Sequence, residues 1–142
     1  MRVVFDTNTF ISAVISPNGA PRRLLNEALK HRFSLYTSPI LLAELLDVLE
    51  RPKFSARLVK AHLTPAKIVH EIRNLAFLVI PQNVAKIILA DPDDDHVLAC
   101  AVVAQANMIV SGDQHLLALG EEFQDIQILN SADALRLIQS ET

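Results

Sequence analysis

Four acidic residues of this chain stand where packing does not ask for an acid. Asp6 ends the apolar run "VVF". Glu44 interrupts "SPILLAELLDVL", four residues after Ile40 and four before Val48. On a helix that spacing sets its carboxylate on or beside the apolar face marked by Ile40, Leu41, Leu45 and Val48. Asp94 lies at the mouth of an apolar segment, one turn before Leu98 and two before Ala101, and Asp113 follows "MIVS". Carboxylates brought together repel one another and resist ionisation unless a cation neutralises them. An oxygen-only donor set suits Mg²⁺ or Mn²⁺, ions that keep several waters and bridge to phosphates.

Each acid also has a plain structural use. Asp6 can end a strand as a turn or N-cap residue. Asp91, before Pro92, is a good N-cap, and Asp93 to Asp95 suit the positive end of a helix dipole. Glu44 can snorkel to solvent from the flank of a buried stripe, and Asp113 can serve a turn after Gly112.

Other chemistries are easier to set aside. The lone Cys100 excludes an internal disulfide, argues against a thiolate zinc site and fits a reducing cytoplasm. The three glycines, Gly19, Gly112 and Gly120, are too far apart for a dinucleotide fingerprint or a Walker A loop. His96 and His115 are isolated in sequence, with no His/Cys cluster of zinc spacing. "DPDDDH" superficially resembles a calcium loop, but His96 stands where glycine is needed and Val102 where the bidentate glutamate belongs. No Ser/His/Asp or Cys/His arrangement is evident.

The elements that must position these acids are short and regular. "RVVF", "FSLYTS", "FLVI", "MIVS" and "IQIL" read as strands. Between them, Pro21 opens a helix through "RRLLNEALKH", Ser38-Pro39 one through "ILLAELLDVLER", and Thr64-Pro65 one to about Leu75. Asp91-Pro92 opens "DDDHVLACAVVAQA", apolar on nearly all sides and so expected to be buried. "HLLALG" and "SADALRLIQS" complete the set. Strands without a polar side that alternate with helices predict a three-layer α/β/α fold around a central parallel sheet. Functional groups then gather beyond the carboxyl ends of the strands, so Asp6 and Asp113 should share one edge.

At these residues the sequence resembles the PIN-domain family of metal-dependent ribonucleases, which includes toxin subunits of bacterial toxin–antitoxin pairs (VapC-like). The resemblance covers essentially the whole chain and rests on "VVFDTNTFISAV", on Glu44 in "SPILLAELLDVL", on "DPDDDHVLACA" and on "IVSGDQHLL". It implies that Asp6, Glu44, Asp94 and Asp113 form a catalytic, metal-binding acidic site, with Asp95 the alternative to Asp94. It also implies that Asn8 and the Ser111 hydroxyl orient carboxylates by hydrogen bonds. Relatives often carry a further acid two residues after the fourth one, where this chain has His115. One or two Mg²⁺ or Mn²⁺ ions would activate a water for in-line attack on an RNA phosphodiester, leaving a 5′-phosphate.

Charge is unevenly spread along the chain. Ten of the 13 Lys and Arg residues fall within residues 1–70, and eleven of the 16 Asp and Glu residues fall within 71–142. Arg51, Lys53, Arg57 and Lys60 are the candidates for RNA phosphates, with Arg22 and Arg23 elsewhere. The alternative for such a run is a solvated helix face. Low aromatic content, 5%, leaves base stacking a minor theme.

At 142 residues the chain is expected to be one PIN-like domain over 1–142, cytoplasmic, with no membrane span and no signal peptide at its N-terminus. A small antitoxin and a homodimer are the partners expected from the resemblance. Two other functions compete with the ribonuclease: a phosphatase-type hydrolase with Asp6 as nucleophile, and a catalytically weak PIN-like binding module. Asn8 weighs against the first, because that chemistry commonly pairs its aspartate with an acid two residues later. His115 is the main support of the second.

Overall fold

A computed structural model describes residues 1–81, 92–119 and 123–141, with the backbone alone at 92–94. The chain opens with β1 (Arg2–Phe5), α1 (Thr7–Ile15), α2 (Ala20–Leu29) and β2 (Ser34–Thr37). Three helices follow, α3 (Pro39–Leu49), α4 (Pro52–Lys60) and α5 (Pro65–Leu75), before the two-residue strand β3 (Phe77–Leu78). The second half holds α6 (Pro92–Ala104), β4 (Met108–Val110), the single turn α7 (Gln114–Leu117), β5 (Gln127–Leu129) and α8 (Ser131–Ser140).

The five described strands form one parallel sheet in the order β3-β2-β1-β4-β5. The chain moves outward from β1 to β2 and β3, then returns to lay β4 on the other side of β1. That reversal puts the topological switch point at the carboxyl ends of β1 and β4, the place where parallel sheets bind ligands. The register sets Val4 beside Ile109 and Phe5 beside Val110. Asp6 and Ser111, the next residue of each strand, therefore leave the sheet side by side.

Alternation along β1 divides the core. Val3 and Phe5 pack with Phe10, Leu24, Leu42, Leu45, Ile72 and Leu135 on one face. Val4 packs with Val97, Leu98, Ala101 and Leu116 on the other. Side chains of successive strand residues point to opposite faces, so a run with no polar residue requires helices on both. The expected three-layer α/β/α architecture is the one observed.

Helix starts follow the sequence signals closely. Ser38 caps α3 by accepting the Leu41 N–H, Thr64 caps α5 through Lys67 N–H, and a proline occupies the first turn of each. The basic stretch after Arg51 is a helix in its own right, α4, anchored by buried Phe54 and Leu58. The run "FLVI" pairs only at Phe77 and Leu78, extended by a bond from Val79 N–H to the Thr37 carbonyl.

Two expectations about buried faces are corrected. On α3 the buried stripe is Leu41, Leu42, Leu45 and Leu49, while Ile40 is 45% exposed. On α6, Val102 and Val103 are 38% and 48% exposed, so the part of that helix beyond His96 is apolar without being covered all round. Cys100 on the same helix is fully buried, and burial pushes its thiol up to about 12. Asp91, expected to cap α6, lies outside the described residues. Among the described residues no helix is long and apolar enough to cross a membrane.

Candidate acidic site at the carboxyl edge

Asp6 serves two structural purposes at once. As the N-cap of α1 its Oδ1 accepts the main-chain N–H of Thr9 at 2.8 Å, and its own N–H continues the β1–β4 ladder to the Val110 carbonyl. Its other oxygen, Oδ2, accepts the Ser111 hydroxyl at 2.5 Å. Asp6 is only 5% exposed, and burial raises its carboxyl above the usual carboxylate range. Hydrogen bonds from Ser111 and Thr9 oppose that shift, and the nearby charge of Asp113 adds to it.

Ser111 organises the β4 side. Its Oγ also accepts the Asp113 N–H at 2.9 Å, so one hydroxyl links the Asp6 carboxylate to the Asp113 main chain. Asp113 in turn caps the short turn α7, accepting the His115 N–H at 2.7 Å, with the His115 Nδ1 3.4 Å from the same oxygen. Glu44 comes from the second turn of α3 and is half-buried beside the leucine stripe. The Thr7 hydroxyl, in the first turn of α1, donates to Glu44 Oε2 at 3.3 Å.

The described structure thus brings Asp6, Ser111 and Asp113 into one hydrogen-bonded unit, with Glu44 joined to the Asp6 segment through Thr7. The Asp94 side chain lies outside the described residues. Asp95, the alternative third acid, is 3% exposed on α6. Asn8 is exposed on α1; among the described residues Thr9 and Ser111 donate the hydrogen bonds that hold Asp6, because an N-cap acid reaches the third residue beyond it.

Sequence reasoning missed Thr7 and Thr9. Thr9 gives both its main-chain N–H to Asp6 and its hydroxyl to the Val110 carbonyl at 3.2 Å. The signal was the "DTNT" spacing itself: once Asp6 caps a helix, the residue three on must face it.

The basic candidates belong to α4, with Arg51 at its N-cap. Arg51 pairs with Asp47 at 3.7 Å on the exposed side of α3, and Lys53 sits over the Phe54 ring at 5.0 Å. Arg57 and Lys60 are exposed on α4. None of the four forms an ion pair with Asp6 or Asp113.

Among the described residues no three His, Cys, Asp or Glu side chains gather closely enough to hold an ion by themselves. The donor chemistry nonetheless fits a hard divalent cation. Asp6 and Asp113 are carboxylates whose charges oppose each other, Asp6 in a buried place that raises its carboxyl, and such a pair is relieved by a cation held through oxygen.

A parallel α/β/α sheet with carboxylates at its switch point places the chain among α/β proteins whose sites lie beyond the carboxyl ends of the strands. Residues 2–115 match the PIN domain family, and the chain belongs to that family, whose members are generally nucleases. It is 32% identical over 130 residues to the uncharacterized protein MJ1680 of Methanocaldococcus jannaschii, covering 92% of this chain and 82% of that one. In fold it is similar to a chain in the crystal structure of VapBC2 from Rickettsia felis bound to a DNA fragment from their promoter. That likeness has a TM-score of 0.61 at 14% identity and covers 92% of this chain and 98% of the other.

Proposed function

We propose that this protein is a divalent-metal-dependent endoribonuclease, the toxin of a toxin–antitoxin pair. The observation that carries the reading is the buried Asp6 carboxylate, gripped by Ser111 and Thr9 and set against the charge of Asp113 at the sheet's switch point. A fold alone would not require a buried acid there, and its burial is costly unless something neutralises it.

Asp6, Glu44, Asp94 and Asp113 would hold Mg²⁺ or Mn²⁺, with Asp95 the alternative to Asp94. When bound, such an ion supplies an acidified water as nucleophile and neutralises charge that develops on the phosphate. The chain's own residues supply position. Ser111 fixes the Asp6 Oδ2 and the Asp113 main chain together, Thr9 fixes Oδ1, and Thr7 tethers Glu44. Such outer partners set the orientation and basicity of ligands. No side chain is needed as nucleophile, and the cut would leave a 5′-phosphate.

The phosphatase reading, with Asp6 as nucleophile, is the alternative, and Asn8 weighs against it, standing where that chemistry commonly has a second acid. Arg51, Lys53, Arg57 and Lys60 would meet the RNA backbone. A small antitoxin, a homodimeric state and a cytoplasmic location belong to the same proposal. Likeness to a fold found in VapBC2 supports the antitoxin.

The test is cleavage of labelled single-stranded RNA with Mn²⁺ or with EDTA, beside Asp6→Asn and Asp94→Asn. Cleavage should require metal and be lost in both variants. Equal cleavage in EDTA, or by Asp6→Asn, overturns the proposal, and a phosphoprotein adduct at Asp6 would favour the phosphatase.

A further inference from the structure

We infer that the apolar pocket lined by Ser38, Pro39, Ile40, Ile80, Pro81 and His96 receives one unstacked nucleobase of the RNA, with His96 as the group that reads it. This rests on the ribonuclease reading above and adds where the strand lies. The pocket stands on the same sheet edge as the acids. Ser38 follows β2 directly, and the register that sets Val4 beside Tyr36 brings Ser38 level with Asp6, one strand away at about 4.8 Å. Ile40 and Glu44 are one turn apart on α3, and His96 adjoins Asp95 on α6. A phosphate drawn to the acids leaves the adjoining base over the end of β2.

Size and lining select the occupant. The pocket encloses about 170 Å³, below the roughly 300–1,000 Å³ of pockets for drug-sized ligands, so it admits one ring system at a time. Its walls are two proline rings and two isoleucines, and Ile40 and Ile80 are 45% and 63% exposed. Extruded bases are held between aromatic or apolar side chains and read at their polar edges. No Lys or Arg lines the pocket, so it suits the base of a nucleotide and not its phosphate.

His96 supplies the second observation. It is half-buried, and among the described residues its enclosed Nδ1 has no hydrogen-bond partner. An enclosed polar atom without a partner is rare and calls for an explanation. The polar edge of a base, entering beside the imidazole, provides one after a small rotation of the ring. A neutral imidazole offers one donor and one acceptor, enough to rank bases by the edge they present.

The experiment measures binding of the full chain, in Ca²⁺, to six-nucleotide single-stranded RNAs of A, C or U and to an abasic sugar–phosphate strand of equal length. Wild type, His96→Ala and Ile40→Trp are compared, and the His96 imidazole resonances are followed by NMR. Wild type should bind the best homopolymer at least about fivefold tighter than the abasic strand, the low end of what one stacked base contributes. It should rank the three bases, and the His96 resonances should shift on binding. Ile40→Trp, at an exposed position, should fill the pocket and bring every strand to the abasic level. His96→Ala should erase the ranking while keeping the advantage over the abasic strand. Equal binding of the abasic strand, or an Ile40→Trp protein that binds as wild type does, overturns the subsite. A ranking that is absent from wild type, or that survives in His96→Ala, overturns the role of His96. Cleavage of the same strands in Mn²⁺ separates the two readings. Metal-dependent cleavage without a base advantage sinks the subsite alone, a base advantage without cleavage sinks the nuclease alone, and neither binding nor cleavage sinks both.

Discussion

Ser111 donates its hydroxyl proton to Asp6 across 105 positions of sequence, Oγ to Oδ2 at 2.5 Å, while accepting the Asp113 N–H at 2.9 Å with the same oxygen. One atom therefore ties the acid at the end of β1 to the acid that follows β4. Parallel pairing of Phe5 with Val110 makes this possible, because the residues that follow both strands must emerge as neighbours.

Ser111→Ala should release the Asp6 carboxylate from the Asp113 main chain without disturbing the sheet. RNA cleavage is expected to fall by about 10–100-fold, the usual cost of removing a residue that orients ligands. Stability should drop by about 1–3 kcal/mol, because a buried acceptor is left without its donor. Chemical denaturation and initial rates check both values, and a variant with full activity would show that Ser111 only fills space.

Removing the Asp6 charge should stabilise the metal-free protein. The Asp6 carboxyl is raised by burial, so the folded state binds its proton more tightly than the unfolded chain. That contribution favours folding fully below the unfolded value of 3.8 and is lost as pH rises through the raised folded value. Metal-free Asp6→Asn should therefore melt higher than wild type at pH 7–8, by roughly 2–4 °C for each kcal/mol relieved. The gap should close as pH falls toward 3.8. Melting curves across pH in EDTA would show it, and saturating Mn²⁺ should reverse the order.

Thr7→Val replaces a hydroxyl by a methyl of the same shape. Glu44 then lacks the donor that ties it to α1, so cleavage should fall by about tenfold. The half-buried site keeps the stability change within about 1 kcal/mol. Steady-state kinetics beside thermal melting separates the two effects, and an equal fall in both would assign Thr7 to the fold alone.

Charge reversal on α4 tests the proposed RNA face. On a single strand, each phosphate left without its basic partner should lower the slope of log affinity against log salt by about 0.7. Arg57→Glu with Lys60→Glu should therefore flatten the slope by about 1.4 if both residues touch the backbone. Binding in Ca²⁺ at several salt concentrations measures it, and an unchanged slope would leave these residues as a solvated surface.

The parallel fold was legible because the central strands β1 and β4 are apolar on both sides, which only two helical layers can satisfy. Helix starts were legible because Ser38, Thr64 and the prolines after them cap locally. Burial phase on α3 was less so: Ile40, Leu41 and Leu42 are all apolar, and only tertiary packing decided that Ile40 faces out. Orienting residues were harder still. Ser111 stands out because it precedes Gly112 and Asp113 in a recognised pattern, whereas Thr7 and Thr9 depend on α1 beginning at the residue after Asp6. Asn8, prominent by motif position, faces solvent because the helix turns it there.

Cys100 has a practical consequence. Its thiol is enclosed and pushed up to about 12, so almost no thiolate exists near neutral pH to react with alkylating or oxidising reagents. The native protein therefore offers a silent background for maleimide chemistry. A single cysteine introduced at exposed Asn8, two residues from Asp6, would take a fluorophore or spin label there alone. Ion arrival, substrate strands and any inhibitory partner could then be timed at the rim of the acidic edge by one spectroscopic reporter.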